Sequence, residues 1–251
     1  MAKKLKKQLH NQKDSRGRKQ GYWVETGKYG FIWIGTYHNG QKHGLWKWYC
    51  NNDTPGEEAH YLNDKLHGLW KKYYKDGTLW EEGHYLKNKQ HGLWKKYRED
   101  GTIESEVHYL NDKLHGLWKV YYKDGTLQEE GHYHNEERHG LWKGYWRGGV
   151  TLGEEGHYLN GQQHGLWKRY YRHGTLQEEG HYLNGKLHGF WKWYRHDGVT
   201  LEQEGHYLNE ERHGLWKWYY EDGTREEEFY NMGKKISSPL FIPLLHWFDL
   251  I

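Results

Sequence analysis

The sequence predicts an all-β protein, an elongated single-layer antiparallel β-sheet solenoid built from about eight to nine 24-residue β-hairpin repeats. A His-Gly-Leu/Phe-Trp-Lys motif recurs at steps of 24 or 25 residues, with its histidine at positions 43, 67, 91, 115, 139, 164, 188 and 213. Such a regular period is typical of arrays in which each unit packs on its neighbours. No helical period competes with this pattern between residues 21 and 230.

Two turn signals divide each repeat into two predicted strands. The first is Asp-Gly-Thr, as at residues 76–78, and the second is Asn-Gly or Asn-Asp, as at residues 63–64. Both favour the positive φ angles of tight hairpin turns. Two repeats have 25 residues, and their extra residue, Val150 or Val199, falls at the first turn, where an insertion is tolerated best.

The predicted strand register follows from treating both turn signals as two-residue loops. An Asp76-Gly77 loop places Lys71 opposite Glu82 and places Trp70 opposite Gly83, where the indole has room over the glycine. An Asn63-Asp64 loop places Tyr61 opposite Leu66, and pairs histidines across strands in each repeat, from His60 with His67 to His206 with His213.

Side-chain alternation then gives the predicted sheet two different faces. One face carries tryptophan, tyrosine and glycine, and the other carries leucine, lysine, tyrosine, glutamate and histidine in parallel rows. Aromatic residues make up 18% of the chain, whereas all hydrophobic residues make up 35% and the mean hydropathy is −1.24. This composition suits a single-layer sheet rather than a thick core, and its aromatic face is a candidate contact surface. The candidate binding residues are Trp46, Trp70, Trp94, Trp118, Trp142, Trp167, Trp191, Trp216, Tyr85, Tyr133 and Tyr182.

Three segments carry a resemblance to a known repeat family. They are Asn-Gly-Lys-Leu-His-Gly-Phe-Trp-Lys-Trp-Tyr at 184–194, Tyr-Tyr-Lys-Asp-Gly-Thr-Leu at 121–127, and Gly-His-Tyr at 180–182. The pattern resembles the MORN repeat, and more closely the variant form of bacterial YwqK-type antitoxin proteins and giant-virus repeat proteins. This resemblance covers about residues 36–235. It implies an elongated antiparallel sheet, often a dimer, that serves as a scaffold or as a protein or lipid contact surface, and the YwqK form adds neutralisation of a toxin.

The two ends of the chain differ from the predicted array at 20–235. Residues 1–19 hold eight basic residues against one acid. They form a predicted basic, disordered tail that binds nucleic acid or an anionic membrane surface, acts as a nuclear address, or only keeps the chain soluble. The candidate contact residues of this tail are Lys3, Lys4, Lys6, Lys7, Arg16, Arg18 and Lys19. Residues 236–251 are apolar, and are predicted to cap the last strands, to dock into a partner or second subunit, or to insert at a membrane interface. The docking candidates are Phe241, Leu244, Leu245, Trp247 and Phe248.

Symmetry argues against catalysis, because nearly every His, Glu and Lys is one of seven or eight equivalents. Paired histidines without a third ligand make a poor metal site, so neither a metal nor a cofactor is predicted. The chain shows no signal peptide and no stretch of about 20 apolar residues, which favours an intracellular location, in the cytoplasm or within an assembled particle.

We therefore expect a non-enzymatic repeat scaffold or protein-binding module, either structural or part of an assembly. A protein partner, including a second copy of the chain, is expected, and no small-molecule substrate. One alternative is an antitoxin-like neutraliser of a partner protein. Another is a peripheral phospholipid-binding module that uses the repeated lysines and the basic tail. The repeated glutamates argue against this alternative, because they would neutralise those lysines.

Overall fold

The computed structural model describes residues 11–27, 30–50 and 54–237, and these residues form strands and turns without an α-helix. They divide into two compact units. The first holds the described residues up to Gly125 together with Tyr133–Glu136, and the second holds Thr126–His132 and the described residues from Glu137 onward. The predicted all-β class is confirmed.

Strands of the first unit follow each other in antiparallel order, each hydrogen-bonded to the next from β1 to β10. Their bounds are β1 (Gln12–Lys13), β2 (Lys19–Thr26), β3 (Ile32–His38), β4 (Gln41–Tyr49), β5 (Pro55–Leu62), β6 (Lys65–Tyr73), β7 (Leu79–Leu86), β8 (Lys89–Tyr97), β9 (Ile103–Leu110) and β10 (Lys113–Tyr121).

The second unit begins at Thr126, just before its first strand, and from its second strand onward it has the same antiparallel order. Its strands are β11 (Leu127–His134), whose last two residues belong to the first unit, β12 (Glu137–Tyr145), β13 (Leu152–Leu159), β14 (Gln162–Tyr170), β15 (Leu176–Leu183), β16 (Lys186–Tyr194), β17 (Leu201–Leu208), β18 (Glu211–Tyr219), β19 (Arg225–Asn231) and β20 (Lys234–Ile236).

The Asn turn has the predicted two-residue form. Asn63 and Asp64 have φ angles of 52° and 64°, and their strands pair as Leu62 with Lys65 and Tyr61 with Leu66. The backbone N–H of Asp64 also donates to the carbonyl of Lys42, one repeat earlier, at 3.1 Å. This second bond ties each Asn turn to the preceding repeat.

The prediction of a two-residue Asp76-Gly77 loop is wrong. The backbone N–H of Tyr74 donates to the carbonyl of Thr78 at 2.8 Å, which leaves a three-residue loop that ends on Gly77 with a φ of 91°. An extra residue at Trp80 then restores the register, so that Lys71 still lies opposite Glu82, as predicted. Asp-Gly suits the positive φ of a glycine in either turn type, and the sequence could not separate them.

The inserted residues of the two 25-residue repeats lie where the repeat pattern indicated. Val150 and Val199 lie in the first turn of their repeats and are highly exposed, which confirms the position of the extra residue. Residues 11–19, assigned by the sequence to the basic tail, include β1 and the start of β2, so ordered structure begins inside that segment. Residues 1–10 and 238–251 lie outside the described residues, and the predictions for them remain predictions.

A candidate protein-binding surface

One side of the sheet, here called the tryptophan face, is built around glycines that receive an indole from the following strand. A Cβ placed on Gly180 would lie 2.0 Å from the indole of Trp191, and one on Gly205 would lie 2.3 Å from that of Trp216. The indole N–H of Trp191 donates to the carbonyl of His181 at 3.0 Å. Each glycine is therefore a slot that one tryptophan fills.

Repeats without the glycine show how much this packing depends on it. Two repeats have Ala59 and Val107 where six others have glycine, and the tryptophans of the strands that follow, Trp70 and Trp118, are only partly buried. The tryptophans that lie over glycine are at most 3% exposed: Trp46, Trp94, Trp142, Trp167, Trp191 and Trp216. A missing Cβ therefore decides how deeply each indole sits.

Neighbouring rings and cations cover the edges of these indoles. Tyr182 meets Trp191 edge to face, with ring centroids 5.2 Å apart. The guanidinium of Arg138 lies 4.1 Å from the ring centroid of Trp142, and that of Arg212 lies 4.5 Å from that of Trp216. Contacts of this kind add to the burial and leave little indole surface for a ligand.

The structure thus places the predicted binding residues of the aromatic face in the packing of the sheet. Six of the eight tryptophans are buried, and Trp70, Trp118, Tyr85, Tyr133 and Tyr182 are partly buried. Tyr85 and Tyr133 pack edge to face against Trp94 and Trp118, at centroid distances of 5.1 and 6.1 Å.

The opposite side, here called the leucine–histidine face, carries exposed apolar side chains in a repeated order. In the second unit, Leu141 lies opposite His157, Leu166 opposite His181, and Phe190 opposite His206. Leu141 and Leu166 are 42% exposed and Phe190 is 38% exposed, and the three facing histidines are exposed as well. The leucines at the ends of the hairpins, Leu159 and Leu183, are also exposed on this side.

The first unit carries a less exposed form of this surface. Leu45 lies opposite His60 and is 38% exposed, and Leu62 and Leu86 are exposed at the hairpin ends. His60, which follows Ala59 rather than glycine, is turned so that its Nδ1 lies 3.0 Å from the carbonyl oxygen of Leu69, and it is only partly exposed. The glycine slot on one face is therefore linked to the exposure of histidine on the other.

Charges on the leucine–histidine face are largely paired within it. Lys71 bonds Glu82 at 3.3 Å, and Lys168 bonds Glu179 at 3.4 Å. A tyrosine of the next hairpin shares the same carboxylate, since the hydroxyl of Tyr97 donates to Glu82 at 2.8 Å. Burial and this carboxylate raise the pKa of Tyr97 to about 12. The lysines and glutamates between the leucines therefore neutralise each other, and the lysines do not form a row of free positive charges.

Histidine pairing agrees with the predicted register in four repeats. The pairs are 84/91, 157/164, 181/188 and 206/213. At the predicted pairs 60/67 and 108/115 the register shifts, between Ala59 and Tyr61 and between Leu114 and Trp118, so these two pairs lie outside the regular ladder. Within the described ranges, no group of three or more His, Cys, Asp or Glu side chains is arranged to hold a metal ion.

Sequence reasoning found both faces but missed which of them is open. The register predicted Trp70 opposite Gly83, and that pairing is confirmed, yet the indole that fills the Gly83 slot is that of Trp94, from the other neighbouring strand. The available signal was the glycine-to-alanine and glycine-to-valine exchanges at residues 59 and 107, which mark the slot as a repeated position.

No helix within the described part of the chain is both long and apolar enough to cross a bilayer. The predicted docking residues Phe241, Leu244, Leu245, Trp247 and Phe248 lie outside the described residues, as do Lys3, Lys4, Lys6 and Lys7. Of the predicted basic tail, Arg16, Arg18 and Lys19 are described; the guanidinium of Arg18 bonds Asp14 at 2.8 Å, and the ammonium of Lys19 bonds Glu25.

Comparison with known proteins finds a family model that matches five segments of the chain. The family model described as MORN repeat variant matches residues 66–87, 90–111, 114–135, 163–184 and 212–231. Each matched segment is one 22-residue or 20-residue stretch of the same hairpin array. No curated protein matches the chain.

Among solved structures, one titled "Crystal Structure of TcdB2-TccC3-Cdc42" shares 13% sequence identity with this chain. The match covers 86% of this chain but only 14% of the other, with a TM-score of 0.16. A TM-score this low supports no inference about fold or function.

Proposed function

We propose that this chain, in which five segments match the MORN repeat variant, is a non-enzymatic repeat scaffold that binds a protein partner through its leucine–histidine face. The observation that carries the proposal is the recurrence of an exposed leucine or phenylalanine beside an exposed histidine at equivalent positions of successive repeats. Equivalent positions in neighbouring repeats lie two strand spacings apart, or roughly 10 Å.

The physical argument compares the two faces. On the tryptophan face, the large apolar side chains already fill glycine slots and are covered by rings and cations. On the leucine–histidine face, apolar side chains such as Leu141 and Leu166 remain exposed to water at repeated positions, and apolar side chains left exposed in this way are available to a partner. Repetition also lets weak contacts act together on one extended partner.

The absence of catalysis is part of this proposal. A catalytic site needs unlike groups with different environments in one place, whereas this face repeats one Leu-Lys-Tyr-Glu-His set. The lysines and tyrosines of the set are engaged with glutamates, as for Lys168 with Glu179 and Tyr194 with Glu179. A scaffold uses such repetition directly.

Two narrower functions use the same surfaces. A neutraliser of a toxin or other effector, as in the YwqK-type form of the repeat, would bind one small protein in a tight one-to-one complex on this face. A peripheral phospholipid-binding module would use the repeated lysines, and the pairing of Lys47 with Glu58 at 2.6 Å weakens its electrostatic basis. The basic N-terminal segment is the remaining candidate contact for anionic lipid or nucleic acid.

A pull-down with the full chain as bait tests the proposal. The variant Leu141→Lys/Leu166→Lys/Leu183→Lys places three cations on the leucine–histidine face, where each leucine is about 40% exposed. The matched control, Val150→Lys/Val199→Lys, changes two apolar side chains that are 90% and 78% exposed in turns.

We expect the triple variant to capture at least about tenfold less of its specific protein partner than the parent does, because burying a charge at the centre of an interface is costly. The control should keep that partner. An unchanged partner list for a triple variant whose melting temperature and circular dichroism match the parent would contradict the proposal.

A further inference from the structure

The leucine–histidine face changes character at its C-terminal end. In the repeats before it, two histidines face each other across neighbouring strands, as His181 with His188 and His206 with His213. In the last hairpin the corresponding register partners are Phe229 and Ile236. An apolar pair therefore stands where the array otherwise has a polar one.

Neighbouring residues extend this apolar end. Leu215 is the register partner of Phe229 on the other side, so Leu215, Phe229 and Ile236 lie side by side on one face of β18, β19 and β20. Two strands earlier, Phe190 stands where the other repeats have leucine, is 38% exposed, and packs against His206 at a centroid distance of 4.9 Å.

The last described strand lies at this end of the face. β20 closes at Ile236, on the same face, and the fourteen residues from 238 to 251 follow it. They include nine large apolar residues: Leu240, Phe241, Ile242, Leu244, Leu245, Trp247, Phe248, Leu250 and Ile251. Residues 238–251 lie outside the described part of the structure.

The length of this segment fits the apolar end of the face. From β20 back to β16, which carries Phe190, is four strand spacings, or roughly 19 Å. Fourteen residues reach at most about 50 Å when extended and about 21 Å as a helix, so either form crosses that distance. Three departures from the repeat, at 190, 229 and 236, all lie within that reach.

We infer that the apolar C-terminal segment of this chain binds the end of the leucine–histidine face formed by Phe190, Leu215, Phe229 and Ile236. Apolar side chains replace the histidine pair at the one place where an apolar stretch of the same chain begins, and burial of both sets removes them from water. This contact takes Phe190 from the leucine–histidine face, and so it confines the proposed partner site to the part of the face that includes Leu141, Leu166 and Leu183.

Hydrogen exchange with mass spectrometry on the full chain tests the inference. We expect the peptide that covers residues 238–251 to exchange at least about tenfold more slowly than a synthetic peptide of the same sequence, because a docked segment is protected. The variant Phe229→His/Ile236→His restores the repeat's own histidine pair, and should remove this protection while the amides of β12 to β16 keep theirs.

The matched control is Leu141→His/Leu159→His, which makes two apolar-to-histidine changes on the same face but away from β20. It should leave the protection of the C-terminal peptide unchanged. Light scattering after size-exclusion chromatography at two protein concentrations gives the molar mass in solution. Samples in which the C-terminal peptide is protected should have the mass of one chain.

Three results would overturn the inference. They are a C-terminal peptide that exchanges as fast as the free peptide, a Phe229→His/Ile236→His variant that keeps full protection, and protection that appears only with the mass of two chains. The last result would assign the surface to a second copy. None of them bears on partner capture by the Leu141→Lys/Leu166→Lys/Leu183→Lys variant, so the two proposals fail independently.

Discussion

The indole of Trp191 occupies the space that a side chain on Gly180 would need, since a Cβ there would lie 2.0 Å from the indole Cδ2. The same relationship joins Gly156 to Trp167 and Gly205 to Trp216, at 2.1 and 2.3 Å. A sheet without a second layer thus buries its largest side chains against its own backbone. The tryptophan face holds the sheet together, and the other face is left open.

Filling one glycine slot should destabilise the second unit. For Gly180→Ala we expect a loss of about 1–3 kcal/mol in the free energy of unfolding, because the new methyl group overlaps the Trp191 indole and forces it outward. Urea unfolding followed by circular dichroism measures the loss, and a red shift of tryptophan emission should accompany it.

The matched variant for this prediction is Ala59→Gly, which opens a slot beside the partly buried Trp70. It should shift the tryptophan emission to shorter wavelength, although the added backbone entropy of glycine offsets about 0.5–1 kcal/mol of any gain in stability. Equal emission spectra for both variants and the parent would contradict the claim that glycine at this position lets the indole lie deeper.

Side chains at the first turn should tie consecutive repeats together. The hydroxyl of Tyr171 donates to the carbonyl of Tyr194 at 2.8 Å, and the guanidinium of Arg195, at the equivalent position of the next repeat, donates to the carbonyl of Tyr219 at 2.8 Å. Tyr171→Phe should therefore cost about 1 kcal/mol, the usual contribution of one hydrogen bond, in urea unfolding.

Tyr171→Arg is the control for this bond, because arginine makes the equivalent bond in the next repeat. Its stability should lie closer to that of the parent than to that of Tyr171→Phe. If both variants lose the same free energy, the hydroxyl contributes through packing and not through the hydrogen bond.

Alkaline pH should weaken the array through its tyrosine–glutamate bonds. Burial and a hydrogen-bonded carboxylate raise the pKa of Tyr97 and of Tyr194 from 10.0 to about 12. The folded protein therefore keeps phenolic protons that the unfolded chain releases, and stability falls as the pH rises from about 10 to about 12. Urea unfolding at pH 9 and pH 11 should show this fall, and Tyr97→Phe/Tyr194→Phe should reduce it. An unchanged fall in the double variant would rule out these tyrosines as its source.

Acidic pH should weaken the second unit through His206. Partial desolvation beside Phe190 and the charge of His213 lower the pKa of His206 below 6.5. The unfolded chain therefore binds more protons at this position, and stability falls as the pH drops through about 6.5. Comparing urea unfolding at pH 7.5 and pH 5.5, His206→Gln should show a smaller difference than the parent. A difference of the same size in both would contradict the role of His206.

Much of the fold could be predicted from the repeat itself. The period and the Asn turns fix the strands, and side-chain alternation places Lys71 opposite Glu82 and Trp70 opposite Gly83, as the structure shows. The form of the Asp-Gly turn could not be predicted, because Gly77 with positive φ fits both a two-residue loop and the three-residue loop that is present.

The open face was harder to predict, since every interior strand has two neighbours and register does not say toward which of them an indole leans. Gly83 faces Trp70 in register but receives Trp94. Once the indoles lie in their slots, the apolar surface left in water is that of leucines such as Leu166, which sequence alone would assign to packing as readily as to binding.

Oxidative footprinting of the full chain by hydroxyl radicals tests the division between the two faces most directly, because one experiment compares equivalent tryptophans within the same molecule. We predict that Trp94, Trp167 and Trp191, which lie over glycine, oxidise several-fold more slowly than Trp70 and Trp118, which lie beside Ala59 and Val107. Equal oxidation rates for the two groups would contradict the glycine slots, and with them the assignment of the leucine–histidine face as the open side.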